Sequence, residues 1–283
     1  MRKILLLLLA LILLSCGFKN SNESKEINVL FIGNSLTYYN DMPQKLQEMM
    51  NETNPNIKID QITFPGFSLS AHLENVIVES SDNNTRTTTK APGELTATEK
   101  KLAEKNWDII ILQTGGVAVL IPESLQYKED PAIKKIKELV NNDNSRFIIF
   151  NTWTTKMEYP DKYCYRGMQI SQSLDRMKEY CSPEINNSKE YLELINNSYK
   201  SIADNNSLEK TDHGNIFQKV FDKYPEINIL EDEMHPSDFG VFLSASIFYE
   251  IITKNDASDL KYVGEIDSKT AELLKKTGKI NYR

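Results

Sequence analysis

Cysteine is scarce in this chain, with three residues among 283. Cys16 lies two residues after an apolar run near the N-terminus, so only Cys164 and Cys181 lie in the body of the chain. Their spacing matches no metal-binding motif, and we expect neither a metal site nor a catalytic cysteine. A disulfide is chemically possible if the chain is exported, and the free and bridged states remain equally open.

Positive charge is in the minority, with 33 Lys and Arg against 40 Asp and Glu and a net charge of −7. An acidic surface repels phosphate backbones, which excludes nucleic acid as an expected partner. The charges are interspersed rather than gathered in blocks, so solubility is a sufficient explanation for them.

Long apolar runs are missing except for one of 11 residues, Ile4–Leu14. A helix of that length cannot cross a bilayer core of about 30 Å. Arg2 and Lys3 precede the run and Ser15 ends it, and this order is typical of a signal peptide over residues 1–15. Residues 16–26 are polar and predict a flexible tether, and residues 27–283 predict one folded domain.

The junction at Ser15-Cys16 resembles the lipobox of bacterial lipoproteins, in which the Cys is lipidated and becomes the new N-terminus. The alternative is a plain secretory signal with an incidental Cys. The resemblance implies lipidation of Cys16, a membrane partner through that anchor, and an extracytoplasmic place in the bacterial cell envelope. Gly17 stands where an Asp would resemble an inner-membrane retention signal, which favours an outer membrane.

Hydrophobic patterning predicts an α/β domain. Four apolar segments have the length and composition of buried strands, namely Ile27–Gly33, Ile57–Phe64, Trp107–Gln113 and Arg146–Thr152. Helix-start signals separate them: Asp41 with Pro43, the Thr96-x-x-Glu99 capping box, and Asp130 before a proline. Alternation of strands and helices predicts a three-layer α/β/α fold with a central parallel sheet.

The rest of the domain carries weaker patterns. Met157–Asn206 predicts mostly helix, Leu208–Phe217 a fifth strand ending near Gly214, and Glu79–Gly93 a long exposed loop. Ser237 predicts the cap of a long final helix.

Small and hydrogen-bonding residues follow three of the predicted strands. They are Gly33-Asn34-Ser35, Pro65-Gly66 and Gln113-Thr114-Gly115. Because a parallel sheet places its ligand site at the carboxyl ends of its strands, these residues predict a site with exposed backbone N–H groups.

One of the three histidines, His235, follows Asp232 by three positions and precedes a predicted helix. In a tight turn this spacing brings a carboxylate beside an imidazole. Such a carboxylate fixes the tautomer of the ring and stabilises the imidazolium during hydrolysis. A surface turn with a helix cap is the alternative for this motif taken alone.

Together these segments resemble the SGNH (GDSL-like) hydrolases. Residues 33–37 are similar to the first sequence block of that family, with Asn34 in place of the commoner Asp. Gly66 matches the second block, and Asp232 and His235 match the last block. The third block of the family usually supplies an Asn, and here Gln113-Thr114-Gly115 stands instead.

The resemblance implies a flavodoxin-like SGNH hydrolase fold and a catalytic triad of Ser35, Asp232 and His235. It also implies an oxyanion hole made by the backbone N–H groups of Ser35 and Gly66. The side-chain amide of Gln113 is a candidate third donor, and its alternative role is to close a strand by bonding to backbone. No metal or organic cofactor is required.

The expected activity is hydrolysis of small acyl esters, acetyl above all, on carbohydrate. The alternatives are a lysophospholipase or thioesterase, an acyltransferase with the same triad, and a binding lipoprotein without turnover. His72 has a structural role or lines the site, and His213 is expected to pack at a strand end. Trp153 is a platform for a sugar or a cover of the core.

Overall fold

The computed structural model describes residues 25–81 and 84–280. The predicted signal peptide, the lipidation site at Cys16 and all but two residues of the tether therefore lie outside the described residues. Within the described ranges, no helix combines the length and the apolar character needed to cross a membrane.

A five-stranded parallel sheet forms the centre of the domain, as predicted. In chain order the strands are β1 Ile27–Gly33, β2 Ile57–Thr63, β3 Asn75–Ser81, β4 Asn84–Thr89, β5 Ile109–Leu112, β6 Arg146–Ile149, β7 Cys164–Arg166, β8 Glu179–Cys181 and β9 Glu209–Lys210. The central sheet has the order β2-β1-β5-β6-β9, and all of its neighbouring pairs are parallel.

Helices cover both faces of this sheet. In chain order they are α1 Ser35–Tyr38, α2 Met42–Thr53, α3 Leu69–Glu74, α4 Ala97–Ala103, α5 Gly116–Leu120, α6 Pro122–Ser124, α7 Asp130–Leu139, α8 Gly167–Ile170, α9 Ser188–Asn206, α10 His213–Lys223, α11 Asp238–Thr253 and α12 Ser268–Gly278. The capping box at Thr96 and the cap at Ser237 are both formed, as predicted.

The alternation of side chains along the strands divides the core in two. Val29 and Phe31 of β1 pack with α2, α10, α11 and α12 on one face. Leu30 and Ile32 pack with α4, α7 and α9 on the other face. Because successive residues of a strand point to opposite faces, one apolar strand requires two covering layers, which gives the three-layer α/β/α architecture.

The prediction of helix over Met157–Asn206 is wrong in its first half. Only α9, from Ser188 onward, is a long helix. The preceding segment forms the β7–β8 hairpin, in which Cys164 and Cys181 are directly paired and joined by a disulfide. Spacing of apolar residues could not reveal this hairpin, because the cross-link holds strands of only three residues together.

Two other predictions need correction. Glu79–Gly93 is not simply a loop, because β3 and β4 form an antiparallel hairpin there, and its threonines are β-branched residues that favour strands. The fifth strand exists but ends at Lys210, and helix α10 already begins at His213.

Register aligns the carboxyl ends of the central strands. Gly33 at the end of β1 pairs with Thr63 at the end of β2, and Leu112 at the end of β5 pairs with Ile149 at the end of β6. The segments that follow these strands therefore meet along one edge of the sheet, where the candidate site lies.

Candidate active site

Ser35, His235 and Asp232 are brought together from opposite ends of the domain. The Nε2 atom of His235 lies 2.9 Å from Ser35 Oγ, and its Nδ1 atom lies 2.7 Å from Asp232 Oδ2. Both distances are within hydrogen-bonding range. The hydroxyl, the imidazole and the carboxylate thus form one continuous chain, although Ser35 and His235 are 200 residues apart.

The loop of Asp232 folds around its own carboxylate. Oδ1 accepts hydrogen bonds of 2.7 Å from the backbone N–H groups of Met234 and His235. Partial burial raises the pKa of Asp232, but the hydrogen bonds from the His235 ring and from these two N–H groups outweigh burial and lower the pKa to about 2. The carboxylate is therefore ionised at neutral pH and well below it.

Asn34 holds the turn that carries Ser35. Its side-chain oxygen accepts from Leu36 N–H and so caps helix α1, and its Nδ2 donates to the carbonyl of Phe67 at 2.8 Å. The second bond ties the Ser35 turn to the segment that contains Gly66. An Asp at this position could accept the first bond but could not donate the second, so Asn34 links the two segments directly.

Gln113 has a different position from the one predicted. Its side chain is fully buried, and Oε1 accepts from the backbone N–H of Asn34 at 2.8 Å and from Thr37 Oγ1 at 2.9 Å. Its Nε2 donates to the carbonyl of Thr114 at 2.8 Å. Because the side chain is fully buried and does not line the cavity beside Ser35, the prediction that it donates to an oxyanion is wrong. The alternative of bonding to backbone at a strand end is the one observed.

The close approach of Gln113 also explains Gly33. A Cβ atom at residue 33 would lie 2.6 Å from both Gln113 Oε1 and Thr37 Oγ1. Any side chain there would displace the oxygen that anchors the turn. The Gly before Asn34-Ser35 is therefore required by space.

Gln113→Met tests this structural role. Replacement leaves the Asn34 N–H and the Thr37 hydroxyl buried without an acceptor, at a cost of about 1–3 kcal/mol for each group. We expect urea titration to show a loss of roughly 2–4 kcal/mol in unfolding free energy. Gln44→Met, at an exposed position of α2, is the control and should be near-neutral. A drop in ester hydrolysis with unchanged stability would instead indicate an oxyanion donor.

Two predicted oxyanion donors line the same cavity. Ser35 and Gly66 both face a cavity of about 270 Å³. Within residues 25–81 and 84–280, neither backbone N–H donates a hydrogen bond to the protein. Gly66 has φ +68°, a left-handed conformation that favours glycine. Both predicted donors therefore belong to residues that line the cavity and are unpaired within the described ranges.

Tyrosines form the far wall of this cavity. Tyr163 and Tyr165 flank the disulfide-linked Cys164 in the β7–β8 hairpin, and Tyr191 comes from α9. The Tyr191 hydroxyl lies 3.2 Å from Thr155 Oγ1, which also lines the cavity. The sequence shows the tyrosines, but the hairpin that gathers them could not be predicted.

The other histidines and Trp153 lie in the core. His72 bonds to the Gly33 carbonyl and to Thr98, and burial lowers its pKa to about 4. His213 is buried at the start of α10 rather than at a strand end, and burial lowers its pKa to about 3. Trp153 is 2 % exposed and stacks on Phe217, so it is not a platform for a sugar.

Glu129 is a buried carboxyl group that sequence patterns do not predict. It ends a turn of π-helix over Leu125–Glu129, and its Oε2 accepts from Leu69 N–H at 3.3 Å. Burial raises its pKa to about 7, and Thr114 and Lys128 offset only part of that effect. Glu129 thus holds the segment after Gly66 through its hydrogen bond with Leu69 N–H. Nothing in its sequence neighbourhood indicates a buried carboxyl.

Glu129→Gln should change how stability depends on pH. Because the pKa of Glu129 is raised in the folded state, its protonated form stabilises that state. This stabilisation is fully present below the unfolded pKa of about 4.5 and is lost as the pH rises through the folded pKa of about 7. A Gln at this position still accepts from Leu69 N–H and cannot ionise, so the variant does not lose this stabilisation. Between pH 5 and pH 8 we expect wild type to lose about 2–3 kcal/mol more unfolding free energy than the variant, measured by urea titration. Equal losses would show that the carboxyl ionises freely.

Comparison with known proteins identifies the fold. No family model matches the chain, and no curated protein matches it either. A solved DUF4886 family protein from Bacteroides uniformis is similar, with 18 % identity, a TM-score of 0.66, and coverage of 90 % of this chain and 93 % of the other. A candidate SGNH hydrolase from Slackia heliotrinireducens has 16 % identity, a TM-score of 0.54, and coverage of 81 % and 100 %. The chain has the SGNH hydrolase fold.

Proposed function

We propose that this protein is a serine esterase that removes small acyl groups, acetyl in particular, from carbohydrate. The hydrogen-bonded chain from Ser35 Oγ through His235 to Asp232 carries the proposal. A serine hydroxyl is a weak nucleophile by itself, and an adjacent imidazole oriented by a carboxylate is the arrangement that activates it.

The reaction proceeds in two steps. Ser35 Oγ attacks the ester carbonyl while His235 Nε2 takes its proton, and the backbone N–H groups of Ser35 and Gly66 bind the oxyanion. His235 then protonates the leaving alcohol, and an acyl-enzyme remains. Water attacks this acyl group, again with His235 as base, which releases the carboxylic acid and regenerates Ser35. Asp232 stabilises the imidazolium in both steps.

The cavity beside Ser35 supports a carbohydrate as the alcohol. Tyr163 and Tyr165 are half-buried and offer aromatic faces and hydroxyl groups together, which suits a sugar because its ring carries both C–H groups and hydroxyl groups. A second cavity of about 660 Å³ shares Thr155, Tyr163 and Met234 with the first. Space for the alcohol thus continues past Ser35, which suits an extended saccharide.

The experiment is a substrate series on residues 25–283. Rates of p-nitrophenyl acetate, butyrate and octanoate hydrolysis are compared with acetate release from acetylated oligosaccharides, each against Ser35→Ala. We expect activity to fall with acyl length and kcat/KM to be highest for the acetylated saccharides. A preference for octanoate or a lysophospholipid would favour the lipase alternative. Transfer of acetyl to an added alcohol in preference to water would indicate an acyltransferase. No turnover with any ester, in folded protein, would favour a binding role.

The disulfide should contribute to substrate binding. Paired Cys164→Ser and Cys181→Ser substitutions release a segment of 17 residues, which predicts a stability loss of about 3 kcal/mol. They also loosen Tyr163 and Tyr165, so we expect KM for the acetylated saccharide to rise several-fold while kcat for p-nitrophenyl acetate changes little. Steady-state kinetics of both substrates checks this. An equal effect on both substrates would indicate that the hairpin contributes to the chemical step rather than to binding of the saccharide.

We also propose that the enzyme acts in the bacterial cell envelope, extracytoplasmically and attached through lipid on Cys16. The support is the lipobox-like sequence. Metabolic labelling with a fatty acid analogue, compared between wild type and Cys16→Ser, tests the anchor, and membrane fractionation separates an outer from an inner membrane.

A further inference from the structure

The turn after helix α1 has an unusual backbone. Asn40 has φ 48° and ψ 35°, and Asp41 has φ 57° and ψ 38°. Two consecutive residues other than glycine are thus left-handed, a conformation that L-residues disfavour. Such a backbone persists only where the surrounding contacts determine it, and it occurs most often at functional sites.

The contacts of Asn40 lie on the segment that carries His235. Its Nδ2 donates to Glu231 Oε2 at 3.0 Å and to the carbonyl of Pro236 at 2.9 Å. Glu231 directly precedes Asp232, and Pro236 directly follows His235. One amide therefore bridges both ends of the Asp232–His235 segment and ties them to the chain that carries Ser35.

Lys45 reinforces this bridge from helix α2. Its Nζ donates to the carbonyl of Asn40 at 3.1 Å and to Asp238 Oδ1 at 3.3 Å. The backbone of the left-handed turn is thus bonded to Lys45, and the side chain of Asn40 is bonded to the His235 segment.

Tyr39 covers a face of the His235 ring. The two ring centroids are 4.4 Å apart, with an angle of 16° between the planes. Nδ1 of the ring is bonded to Asp232 and Nε2 to Ser35. Hydrogen bonds therefore fix the edge of the ring, and Tyr39 packs against its face. Burial, followed by the nearby Glu231 and Asp232, raises the pKa of Tyr39, which keeps the phenol neutral. The face of a neutral phenol attracts a cation such as imidazolium.

We propose that Tyr39 and Asn40 are positioning residues for His235. Tyr39 stacks on the imidazole and favours its protonated form during the reaction. Asn40 holds the Asp232–His235 segment at a fixed position relative to Ser35. This inference rests on the proposed esterase function, in which His235 becomes charged after it takes the proton of Ser35.

Three variants separate the two contributions. Tyr39→Phe keeps the stacked face, Tyr39→Leu removes it, and Asn40→Gly tolerates the left-handed backbone but removes the bridge. Tyr127→Leu, at an exposed tyrosine away from the cavity, is the matched control. Thermal melting of each variant accompanies the kinetics.

We expect Tyr39→Phe to stay within about 2-fold of wild type on p-nitrophenyl acetate and Tyr39→Leu to lose about 5-fold in kcat with little change in KM. Asn40→Gly should lower kcat about 10-fold. Tyr39→Leu with wild-type kcat, or Tyr39→Phe as impaired as Tyr39→Leu, would overturn the role of the stacked face. Wild-type kcat in Asn40→Gly would overturn the role of the bridge.

A chemical readout keeps this test independent of the esterase proposal. Diethyl pyrocarbonate modifies accessible imidazoles, and His72 and His213 are buried, so His235 is the histidine it reaches. Modification should be several-fold faster in Tyr39→Leu and in Asn40→Gly than in wild type and Tyr127→Leu. If Ser35→Ala retained full activity, the esterase proposal would fail, and the modification rates alone would decide on positioning. Unchanged rates would then overturn it.

Discussion

Ser35→Ala should abolish ester hydrolysis while the protein stays folded. Without Oγ no acyl-enzyme can form, and we expect kcat on p-nitrophenyl acetate to fall by at least about 10⁴-fold. Among the described side chains the Ser35 hydroxyl forms a hydrogen bond only with His235, so its removal leaves the network of Asn34 and Gln113 intact. Steady-state kinetics, thermal melting and labelling by a fluorophosphonate measure the three parts of this expectation.

Ser68→Ala is the matched control for that experiment. Ser68 lines the same cavity, but its Oγ caps helix α3 by accepting from Ala71 N–H and lies 3.0 Å from Ser70 Oγ. With no imidazole bonded to it, Ser68 is not activated. We expect its removal to cost about 1 kcal/mol of stability and to leave kcat within a few-fold of wild type. If Ser35→Ala were still labelled by the fluorophosphonate and Ser68→Ala were not, Ser68 would be the nucleophile instead.

Local patterns were sufficient to predict most of the central sheet. β1 and β5 are apolar on both faces, and only burial between two layers explains such segments. The β7–β8 hairpin has no comparable signal. Its strands have three residues each, and their pairing depends on a disulfide between cysteines 17 positions apart. Long-range cross-links of this kind leave no periodicity in a sequence.

The candidate site likewise contains residues whose positions could be predicted and others whose positions could not. Ser35 and Gly66 follow strands of the central sheet, and strand-end position predicts that they meet. The place of His235 beside them rests instead on its spacing from Asp232 and on the resemblance of this segment to the last sequence block of the SGNH hydrolases. The role of Gln113 could not be predicted, because one amide at a strand end can face the cavity or turn inward. The inward direction depends on the Thr37 hydroxyl and the Asn34 N–H, which both donate to its oxygen.

The left-handed turn at Asn40 also escapes prediction. Asn tolerates this conformation better than most residues, but the Tyr39-Asn40-Asp41 segment reads as an ordinary approach to a helix with Pro43 in its first turn. Asp41 was predicted to cap α2, yet it stands at the cap position without a side-chain bond. Contacts with the distant His235 segment determine the backbone here, which a local rule does not include.

Asp232→Asn should nearly abolish turnover without disturbing the fold. The Asn oxygen can still accept from Met234 and His235 N–H, but its NH₂ group then faces His235 Nδ1 and donates to it. The ring proton is forced onto Nε2, where it points at Ser35 and blocks proton transfer. By analogy with the same change in other triads, we expect kcat to fall about 10⁴-fold with little change in KM. Asp204→Asn, in the exposed ion pair with Lys200 on α9, is the control and should remain active.

The same variant has a pH signature in stability. The folded pKa of Asp232, about 2, lies below its ordinary value of 3.8. A lowered carboxyl pKa contributes stability that is present above the ordinary value and is lost as the pH falls through the folded value. Wild type should therefore lose stability between about pH 4 and pH 2 more steeply than Asp232→Asn, measured as melting temperature against pH. Parallel curves would mean that the carboxylate is not held by His235, and the orienting role in the proposed mechanism would have to be abandoned.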